Sequence, residues 1–136
     1  MRFDTKIAIA VREDLAAWQK LNVTAFLASG IAAEAPEVIG KPYEDGDGNG
    51  YLALFGQPVV VYAASAEQLS AAHGKGLGRE LAMAVYTEEM FATGNDEDNR
   101  AVVRAVGADG LRFAGIAAHG SRNAIDKVFK GLALHP

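Results

Sequence analysis

Lys6-Ile-Ala-Ile-Ala-Val11 is a short apolar run that ends in the charged triplet Arg12-Glu-Asp14. An apolar run of this length, rich in β-branched residues, is typical of a strand that is covered on both faces of a sheet. From Leu15 to about Ala33 the pattern predicts a helix, which Pro36 closes. The start of the chain therefore predicts a buried strand that leads into a helix, the repeating unit of layered α/β domains.

The rest of the chain continues this alternation. The predicted strands are 58–63, 80–86 and 111–118, the predicted helices are 65–76, 95–106 and 121–131, and the irregular segment is 37–56. Ser65 and Gln68 have the spacing of a capping box, and Gly74 and Gly76 are expected to end that helix. Four strands alternating with helices predict a single α/β domain over residues 1–136, with a mostly parallel sheet.

Composition limits the class of protein and its partners. The chain has 136 residues, of which 50% are hydrophobic and 22% charged, as in ordinary globular proteins. It lacks the apolar stretch of a membrane span and the pattern of a signal peptide, so no membrane association is expected. The absence of cysteine excludes disulfides, and we expect a cytoplasmic protein. The net charge of −4 disfavours nucleic acid, so the expected partner is a small molecule or another protein.

The helix predicted at 15–33 is apolar nearly all round. Trp18 and Leu21 fall on one stripe, whereas Val23, Phe26 and Ile31 spread onto others. Such a helix is either sandwiched in the core or covered by a second subunit. This pattern suggests a homodimer.

The opening of the chain resembles that of the peptidyl-tRNA hydrolase II family. That family begins with an apolar strand, an Arg-x-Asp-Leu turn and a Gly-Lys helix start, and here the matching segments are Lys6–Leu15 and Gln19-Lys-Leu21. The likeness resumes at Gln57-Pro-Val-Val-Val-Tyr62 and at Asn123–Leu134. The resemblance implies a three-layer α/β/α sandwich with a four-stranded mixed sheet, and it also implies a homodimer.

A closer resemblance is to a bacterial group known as domain of unknown function 2000, which is assigned to the same fold. Its hallmarks stand here as Trp18-Gln-Lys-Leu-Asn-Val-Thr-Ala-Phe-Leu27, Pro42-Tyr43, Asp45-x-x-Gly48 and Gln57-Pro58. The chain is therefore similar to a family that has no assigned activity.

The chain departs from the hydrolases around their active site. They carry an Asp-Ala-Gly-x-Thr segment after the third strand, where this chain has Thr87-Glu-Glu-Met-Phe91. Their catalytic-type lysine corresponds to Lys20, and the glutamine that follows it corresponds roughly to Thr24. A predicted helix at 95–106 stands where the hydrolases have a short loop. The resemblance thus implies that one of the several active-site elements of the hydrolases, the lysine at Lys20, is kept.

Lys20 is a candidate catalytic residue, and Asn22 beside it is a candidate ligand-binding residue. A partly desolvated lysine near the edge of a sheet can polarise a carbonyl or hold a phosphate. The alternative interpretation is a lysine whose stem covers Trp18 while its ammonium group reaches water.

The third predicted strand is followed by Glu88 and Glu89, at the kind of strand end where α/β sheets bind ligands. A carboxylate there could act as a general base or hold a cation, and at most one of the two can face a given site. Glu88 is a candidate catalytic residue and Thr87 a candidate ligand-binding residue. The alternative is that these are solvated acids of a loop.

His119-Gly-Ser-Arg-Asn123 joins the fourth predicted strand to the last helix. His119 could act as an acid or base near neutral pH and is a candidate catalytic residue. Ser121, Arg122 and Asn123 are candidate ligand-binding residues, because a helix start and an arginine can hold an anion. The alternative is an ordinary helix start that Ser121 caps.

No metal or cofactor is expected. Asp45, Asp47, Asn49 and Gly50 imitate the first half of a calcium-binding loop, but Gly56 stands where that loop needs a glutamate. An Asp/Gly turn is the simpler interpretation. The segment 74–78 lacks the strand-to-helix context of a dinucleotide fingerprint, and the remaining histidines have no metal-ligand spacing.

Two functions remain open at this point. The first is a non-catalytic module that binds a small ligand or a partner in the strand-end cleft. The second is a hydrolase of an ester or amide in an anionic substrate, in which Lys20 polarises the carbonyl, Glu88 or His119 activates water, and Arg122 holds the anion. Whether the chain is an enzyme is left undecided by the sequence.

Overall fold

Strands and helices alternate through the computed structural model, which describes residues 2–136. In chain order the strands are β1 (Thr5–Arg12), β2 (Tyr43–Glu44), β3 (Gly50–Tyr51), β4 (Val59–Ala64), β5 (Met83–Thr87), β6 (Phe113–Ser121) and β7 (Ala133–Leu134). The helices are α1 (Ala17–Glu34), α2 (Ala66–Gly78), α3 (Asp96–Arg104) and α4 (Arg122–Val128), with short 3-10 turns at Pro36–Val38, Glu88–Ala92 and Ala108–Gly110. None of the described helices has the length and apolar character needed to cross a membrane.

The central sheet is mixed and has five strands in the order β5-β6-β1-β4-β7. The expected number of four was wrong because β7 adds a strand of two residues, too short to be recognised as a pattern. The expectation of a mostly parallel sheet was also wrong. Within the described residues only β1 and β4 pair in parallel, whereas β6 lies antiparallel to both β1 and β5. The chain leaves the sheet at the end of β5 and re-enters it as β6 at the same edge. A parallel pair would need a crossover to the opposite edge, so β5 and β6 are antiparallel.

Side-chain alternation along β1 gives the sheet two apolar faces. Ile7, Ile9 and Val11 pack in a cluster with α1, whereas Ala8 and Ala10 pack in a second cluster with α2 and α4. All five residues are at most 1% exposed. Helices therefore cover both faces of the sheet, and the α/β class predicted from the sequence is confirmed.

Close approach of α1 to the sheet depends on a glycine in β6. A Cβ atom added at Gly115 would lie 2.7 Å from Val23 Cγ1, and 3.0 Å from both Leu27 Cδ1 and the carbonyl oxygen of Ala10. Since α1 packs over β6 at this point, a side chain here would push the helix off the sheet. The apolar residues of α1 that face the sheet are Val23, Leu27 and Ile31.

The predicted cap of α2 is confirmed, but its predicted end is wrong. The Ser65 hydroxyl accepts from the Gln68 amide (3.1 Å), and the Gln68 side chain accepts from the Ser65 amide (2.9 Å). The helix continues past Gly74 and Gly76 to Gly78. Gly76 is buried against the side chain of Met83, which leaves no room for a Cβ atom. A glycine is needed here for the packing of α2 on Met83, and not to end the helix.

The acidic loop at 44–50 forms a hairpin turn. Both carboxylate oxygens of Asp45 accept hydrogen bonds, from the backbone amides of Asp47 and Asn49, from the Asn49 side chain and from the Tyr51 hydroxyl. The hydrogen bonds from Asn49 and Tyr51 hold the pKa of Asp45 well below its usual range. No cluster of metal ligands occurs within residues 2–136.

His73 should make the stability of the protein depend on pH. It is 8% exposed and its ring lies 4.5 Å from that of Phe113, and burial lowers its pKa. The neutral form is therefore favoured in the folded state, and below a pH of about 6.5 the unfolded chain binds this proton more readily. We expect the free energy of unfolding to fall between about pH 7.5 and 5.5, with a smaller fall in His73→Gln. Urea unfolding at both pH values measures the difference.

The matched control for this test is His135→Gln, which removes a histidine near the C-terminus. We expect it to keep the pH dependence of the wild type. An equal pH dependence in His73→Gln and the wild type would contradict the assignment.

Candidate functional site

Strands β1 and β5 lie on either side of β6 and run in the same direction, opposite to β6. Both therefore end at one edge of the sheet, where β6 begins. We call this the carboxyl edge, and the opposite edge, which holds Thr5 and Ser121, the amino edge. Thr87 pairs with Phe113 at the carboxyl edge, and Thr5 pairs with Ser121 at the amino edge. Phe113 and Ser121 are eight residue steps apart along β6, which corresponds to roughly 26 Å at a rise of about 3.3 Å per residue.

An ion-pair cluster joins the strand ends at the carboxyl edge. Arg12, at the end of β1, contacts Asp14 (2.6 Å) and also forms an ion pair with Glu88. Arg112, just before β6, contacts Glu88 (3.3 Å) and Glu89 (2.7 Å). The side chain of Arg12 is 13% exposed, and burial opposes its charge, but the hydrogen bonds to Asp14 and Glu88 outweigh burial and raise its pKa. The cluster thus anchors the turn that follows β5.

Glu88 does not have the surroundings of a general base. One of its carboxylate oxygens accepts from Arg12 and the other faces Arg112. A base must have an oxygen within hydrogen-bond reach of the proton that it takes, and here both oxygens are engaged by guanidinium groups. Glu89 is similarly held, because the hydrogen bond from Arg112 lowers its pKa. The structure supports a positioning function for Glu88 and not the predicted catalytic one.

Beside this cluster lies a cleft of about 320 Å³, which we call the aromatic cleft. Its lining comes from α1, the end of β5, the turn Glu88–Ala92 and the start of α3. The lining residues are Trp18, Asn22, Phe26, Tyr86, Met90, Phe91, Thr93, Gly94, Asn95, Asp96 and Asn99. A neighbouring cleft of about 460 Å³ shares Met90, Asp96 and Asn99 with it. Volumes of this size are typical of small-molecule sites.

Four rings form a continuous row along the aromatic cleft. Trp18 meets Phe91 edge to face at 5.9 Å, Phe91 meets Tyr86 at 5.0 Å, and Tyr86 meets Phe26 edge to face at 5.6 Å. These separations are those of favourable aromatic pairs, so the row forms a continuous aromatic wall. Tyr86 is 4% exposed, whereas Trp18 and Phe26 are 62% and 51% exposed and have ring surface available to a ligand.

Hydrogen-bonding groups stand along this wall. The Asn22 side-chain nitrogen donates to the Tyr86 hydroxyl at 3.4 Å, which leaves the Asn22 carbonyl oxygen and a second N–H for other partners. Burial raises the pKa of Tyr86, and the hydrogen bond from Asn22 works against that rise. Asn99 contacts the Thr93 hydroxyl, and Asn95 caps α3. The cleft thus combines an aromatic wall with carboxamide groups that both donate and accept.

Lys20 does not line the aromatic cleft. The cleft is lined by every fourth residue of α1, namely Trp18, Asn22 and Phe26. Lys20 is two residues from Asn22, which places it about 160° around the helix from Asn22, at ~100° per residue. It therefore lies on the row of α1 that faces the sheet, one turn before Val23. Among the described residues it has no ion-pair partner.

Thr87 is also outside the cleft. It is 1% exposed at the end of β5, and its backbone amide donates to Met90 Sδ at 3.3 Å. Of the predicted site residues, all of which the structure describes, only Asn22 lies in the lining of the aromatic cleft.

The remaining predicted residues lie at the amino edge. His119 pairs with Ile7, and its Nε2 atom is buried without a hydrogen-bond partner among the described residues. The Ser121 hydroxyl accepts from the Ala124 amide at 3.2 Å, so the helix-cap interpretation is confirmed. Arg122 lines a different cleft, and Asn123 is exposed. A single site that uses Glu88 together with His119 or Arg122 is excluded, because the two sets are roughly 20 Å or more apart on the β6 register.

Sequence reasoning missed most of the aromatic cleft. Trp18 and Phe26 were assigned to the apolar surface of α1, and Tyr86, Phe91 and Asn99 were not singled out. The signal available in the sequence was the four-residue spacing of Trp18, Asn22 and Phe26, which puts an amide between two aromatic rings on one face of a helix.

Comparisons with known proteins agree on the family and the fold. The family model described as protein of unknown function (DUF2000) matches residues 5–136. A solved structure of a protein of unknown function, Atu0240 from Agrobacterium tumefaciens strain C58, is 50% identical to this chain. That match covers 99% of this chain and 100% of the other, with a TM-score of 0.97. No curated protein matches the chain.

Proposed function

The chain belongs to DUF2000, a family of proteins of unknown function, and we propose that it is a non-catalytic module that binds a small planar heteroaromatic ligand in the aromatic cleft. The observation that carries this proposal is the row of Trp18, Phe91, Tyr86 and Phe26, with the Asn22 amide beside it. An aromatic wall with a few polar groups is the usual makeup of a small-molecule site.

The ligand class follows from the two kinds of surface in the cleft. Exposed ring faces, such as that of Trp18, favour a flat aromatic ligand, since stacking needs a π face on both partners. The carboxamide of Asn22 can donate and accept side by side, as amides do when they read the edge of a heterocyclic base. Asn99, on α3, adds a second carboxamide to the lining. A saturated ligand of the same size could form hydrogen bonds with the amides but could not stack on the aromatic rings.

The position of α3 also supports a binding module over hydrolysis of a peptidyl-tRNA-like substrate. Asp96 and Asn99 of α3 line both the aromatic cleft and its neighbour. This helix stands where the resemblance to the hydrolases implies a short loop. A wall built from an added helix is a reason to expect a different ligand at this edge.

Trp18 is the single tryptophan of the chain and lies in the cleft wall, so its fluorescence reports occupancy directly. We expect adenine and nicotinamide, used as probes, to quench Trp18 emission in a saturable manner. Cyclohexanecarboxamide, which has an amide but no π face, should give no saturable change. Equal responses to the three probes, or no saturable quenching by either aromatic probe, would contradict the proposal.

The alternative function, hydrolysis of an ester or amide in an anionic substrate, is less well supported. Lys20 lies on the far side of α1 from the aromatic cleft, and both oxygens of Glu88 are engaged by arginines. His119 and Arg122 lie at the other edge of the sheet. The Glu88 carboxylate and the anion-binding group assigned to Arg122 are therefore not in one place.

We expect the purified protein to show no turnover of a model peptidyl-tRNA above the blank, and Lys20→Ala to behave in the same way. Chromatographic separation of the released peptide or tRNA measures this. Turnover in the wild type that is lost in Lys20→Ala would instead favour the hydrolase.

The assignment to the peptidyl-tRNA hydrolase II-like fold and a cytoplasmic location remain predictions, the first from the quoted motifs and the second from the absence of cysteine. The homodimer is a further part of the proposal. It is supported by Leu21, 73% exposed on α1, and by Leu52 and Leu54, 87% and 62% exposed after the hairpin. Apolar side chains exposed on α1 and on the segment after the hairpin favour a protein–protein contact.

We expect the wild type to sediment as a dimer at micromolar concentration, and Leu52→Asp to raise the dimer dissociation constant by about tenfold or more, since a charge would be buried in an apolar contact. Leu77→Asp is the matched control, because Leu77 is 52% exposed on α2, which packs on the other face of the sheet from α1. Sedimentation equilibrium measures both. A monomeric wild type, or equal effects of the two substitutions, would contradict the dimer.

A further inference from the structure

A second cleft, of about 340 Å³, lies at the amino edge of the sheet. Three of its lining side chains are cationic, namely Arg2, Lys6 and Arg122, and none of the others is acidic. The chain as a whole has a net charge of −4, so this cleft has the opposite sign to the protein around it. We call it the basic cleft.

The cationic groups are held close to one another. The Lys6 ammonium contacts Asp126 at 2.6 Å, and its side chain is 18% exposed. That hydrogen bond raises the pKa of Lys6, whereas the nearby charge of Arg122 acts to lower it. Arg2 and Arg122 have no ion-pair partner among the described residues. Like charges repel, and an anion between them would relieve the repulsion.

Neighbouring hydrogen bonds fix the floor of the basic cleft. The Thr5 hydroxyl donates to the side-chain oxygen Oε1 of Gln57, and the Gln57 side-chain nitrogen Nε2 donates to the Thr5 backbone carbonyl, each at 3.3 Å. The Arg122 backbone amide donates to the Asp4 carbonyl at 3.2 Å. These contacts join the starts of β1, β4 and α4, so the cationic side chains project from a preorganised frame.

We propose that the basic cleft binds a small organic anion, whose phosphate or carboxylate group is held by Arg122 and Arg2 beside Lys6. Guanidinium groups bind both kinds of oxyanion by paired hydrogen bonds. Phe3, Pro58 and Val60 line the same cleft and offer an apolar wall to the body of the ligand. The site goes beyond the aromatic cleft and is independent of it, because the two lie at opposite edges of the sheet, roughly 26 Å apart along β6.

Chemical-shift titration of the ¹⁵N-labelled protein tests the proposal with phenyl phosphate, benzoate and inorganic phosphate as probes. We expect phenyl phosphate or benzoate to shift the amides of Thr5, Lys6 and Gln57 in a saturable manner, and the tighter of the two identifies the anionic group. Inorganic phosphate should bind at least about fivefold more weakly than phenyl phosphate, since it cannot use the apolar wall.

Arg122→Gln and Arg2→Gln should each weaken binding of the preferred probe by about tenfold, as expected for one lost charge-assisted contact of ~1.4 kcal/mol. Arg2 lies before the first strand, so its substitution leaves the folded core intact and keeps the test valid if Arg122→Gln is unstable. Lys127→Gln removes one positive charge from the same helix outside the cleft and should change the affinity by less than about twofold. No saturable shift at the three amides, or equal losses in Lys127→Gln and the arginine variants, would overturn the proposal.

Discussion

Replacing Gly115 with alanine should lower the free energy of unfolding by about 2 kcal/mol, although it adds a single methyl group. The new Cβ would lie 2.7 Å from Val23 Cγ1 and 3.0 Å from the carbonyl oxygen of Ala10. The first contact is with a buried side chain and the second with backbone of the central strand, so neither can move away easily. The expected result is overpacking, with α1 displaced from β6. Urea unfolding monitored by circular dichroism measures the change.

Replacing Gly74 with alanine should instead raise the free energy of unfolding. Gly74 is exposed in the middle of α2, and a Cβ there would meet nothing within 4 Å. Alanine should therefore stabilise the helix by roughly 0.5–1 kcal/mol, because glycine is the poorer helix former. If Gly115→Ala were as stable as the wild type, or if both variants shifted in the same direction, the close packing of α1 on β6 would not be the reason for this glycine.

The largest expected effect on binding is that of Phe91→Ala. Phe91 contacts both Trp18 and Tyr86, so its removal interrupts the aromatic row in the middle. Loss of one ring that contacts a flat heteroaromatic ligand costs roughly 1–3 kcal/mol, which corresponds to an increase of about fivefold to 150-fold in the dissociation constant. Asn22→Ala should weaken binding by roughly tenfold through the lost amide contacts. Titration of Trp18 emission with adenine measures both variants, since each keeps the reporter.

Leu21→Ala is the matched control for these variants. Leu21 is 73% exposed on α1 and does not line the aromatic cleft. Its removal should leave the adenine affinity within about twofold of the wild type. Equal losses in Leu21→Ala and Phe91→Ala would indicate a general effect on α1 and would contradict the assignment of the cleft.

The local elements of this fold could be predicted from the sequence, whereas their arrangement could not. The apolar run of β1 and the capping box at Ser65 depend on residues that are close together in the chain, and both are confirmed. The place of β6 between β1 and β5 depends on pairings such as Thr5 with Ser121, which no local pattern encodes. Strand β7 consists of two residues and is defined by their pairing with Tyr62 and Ala63, which are distant in the chain.

The candidate site shows the same division. Asn22 could be identified from a motif on one helix. The cleft itself requires Tyr86 and Phe91 to meet Trp18 and Phe26, which are about 60 or more residues away along the chain. The separation of Glu88 from Arg122 likewise follows from the direction of β6, which the alternation of strands and helices does not fix. The types of these residues can be read from the sequence, but their positions relative to one another in the fold could not be predicted from it.

The central claim is that the aromatic cleft at the carboxyl edge holds a planar heteroaromatic ligand. Chemical-shift mapping of the ¹⁵N-labelled protein with adenine tests it most directly, because it locates the bound molecule. We expect saturable shifts of the Trp18 indole N–H and of amides in segments 18–26 and 86–99, with little change at the amino edge. Shifts confined to the amino edge, or spread without saturation over the surface, would contradict the claim.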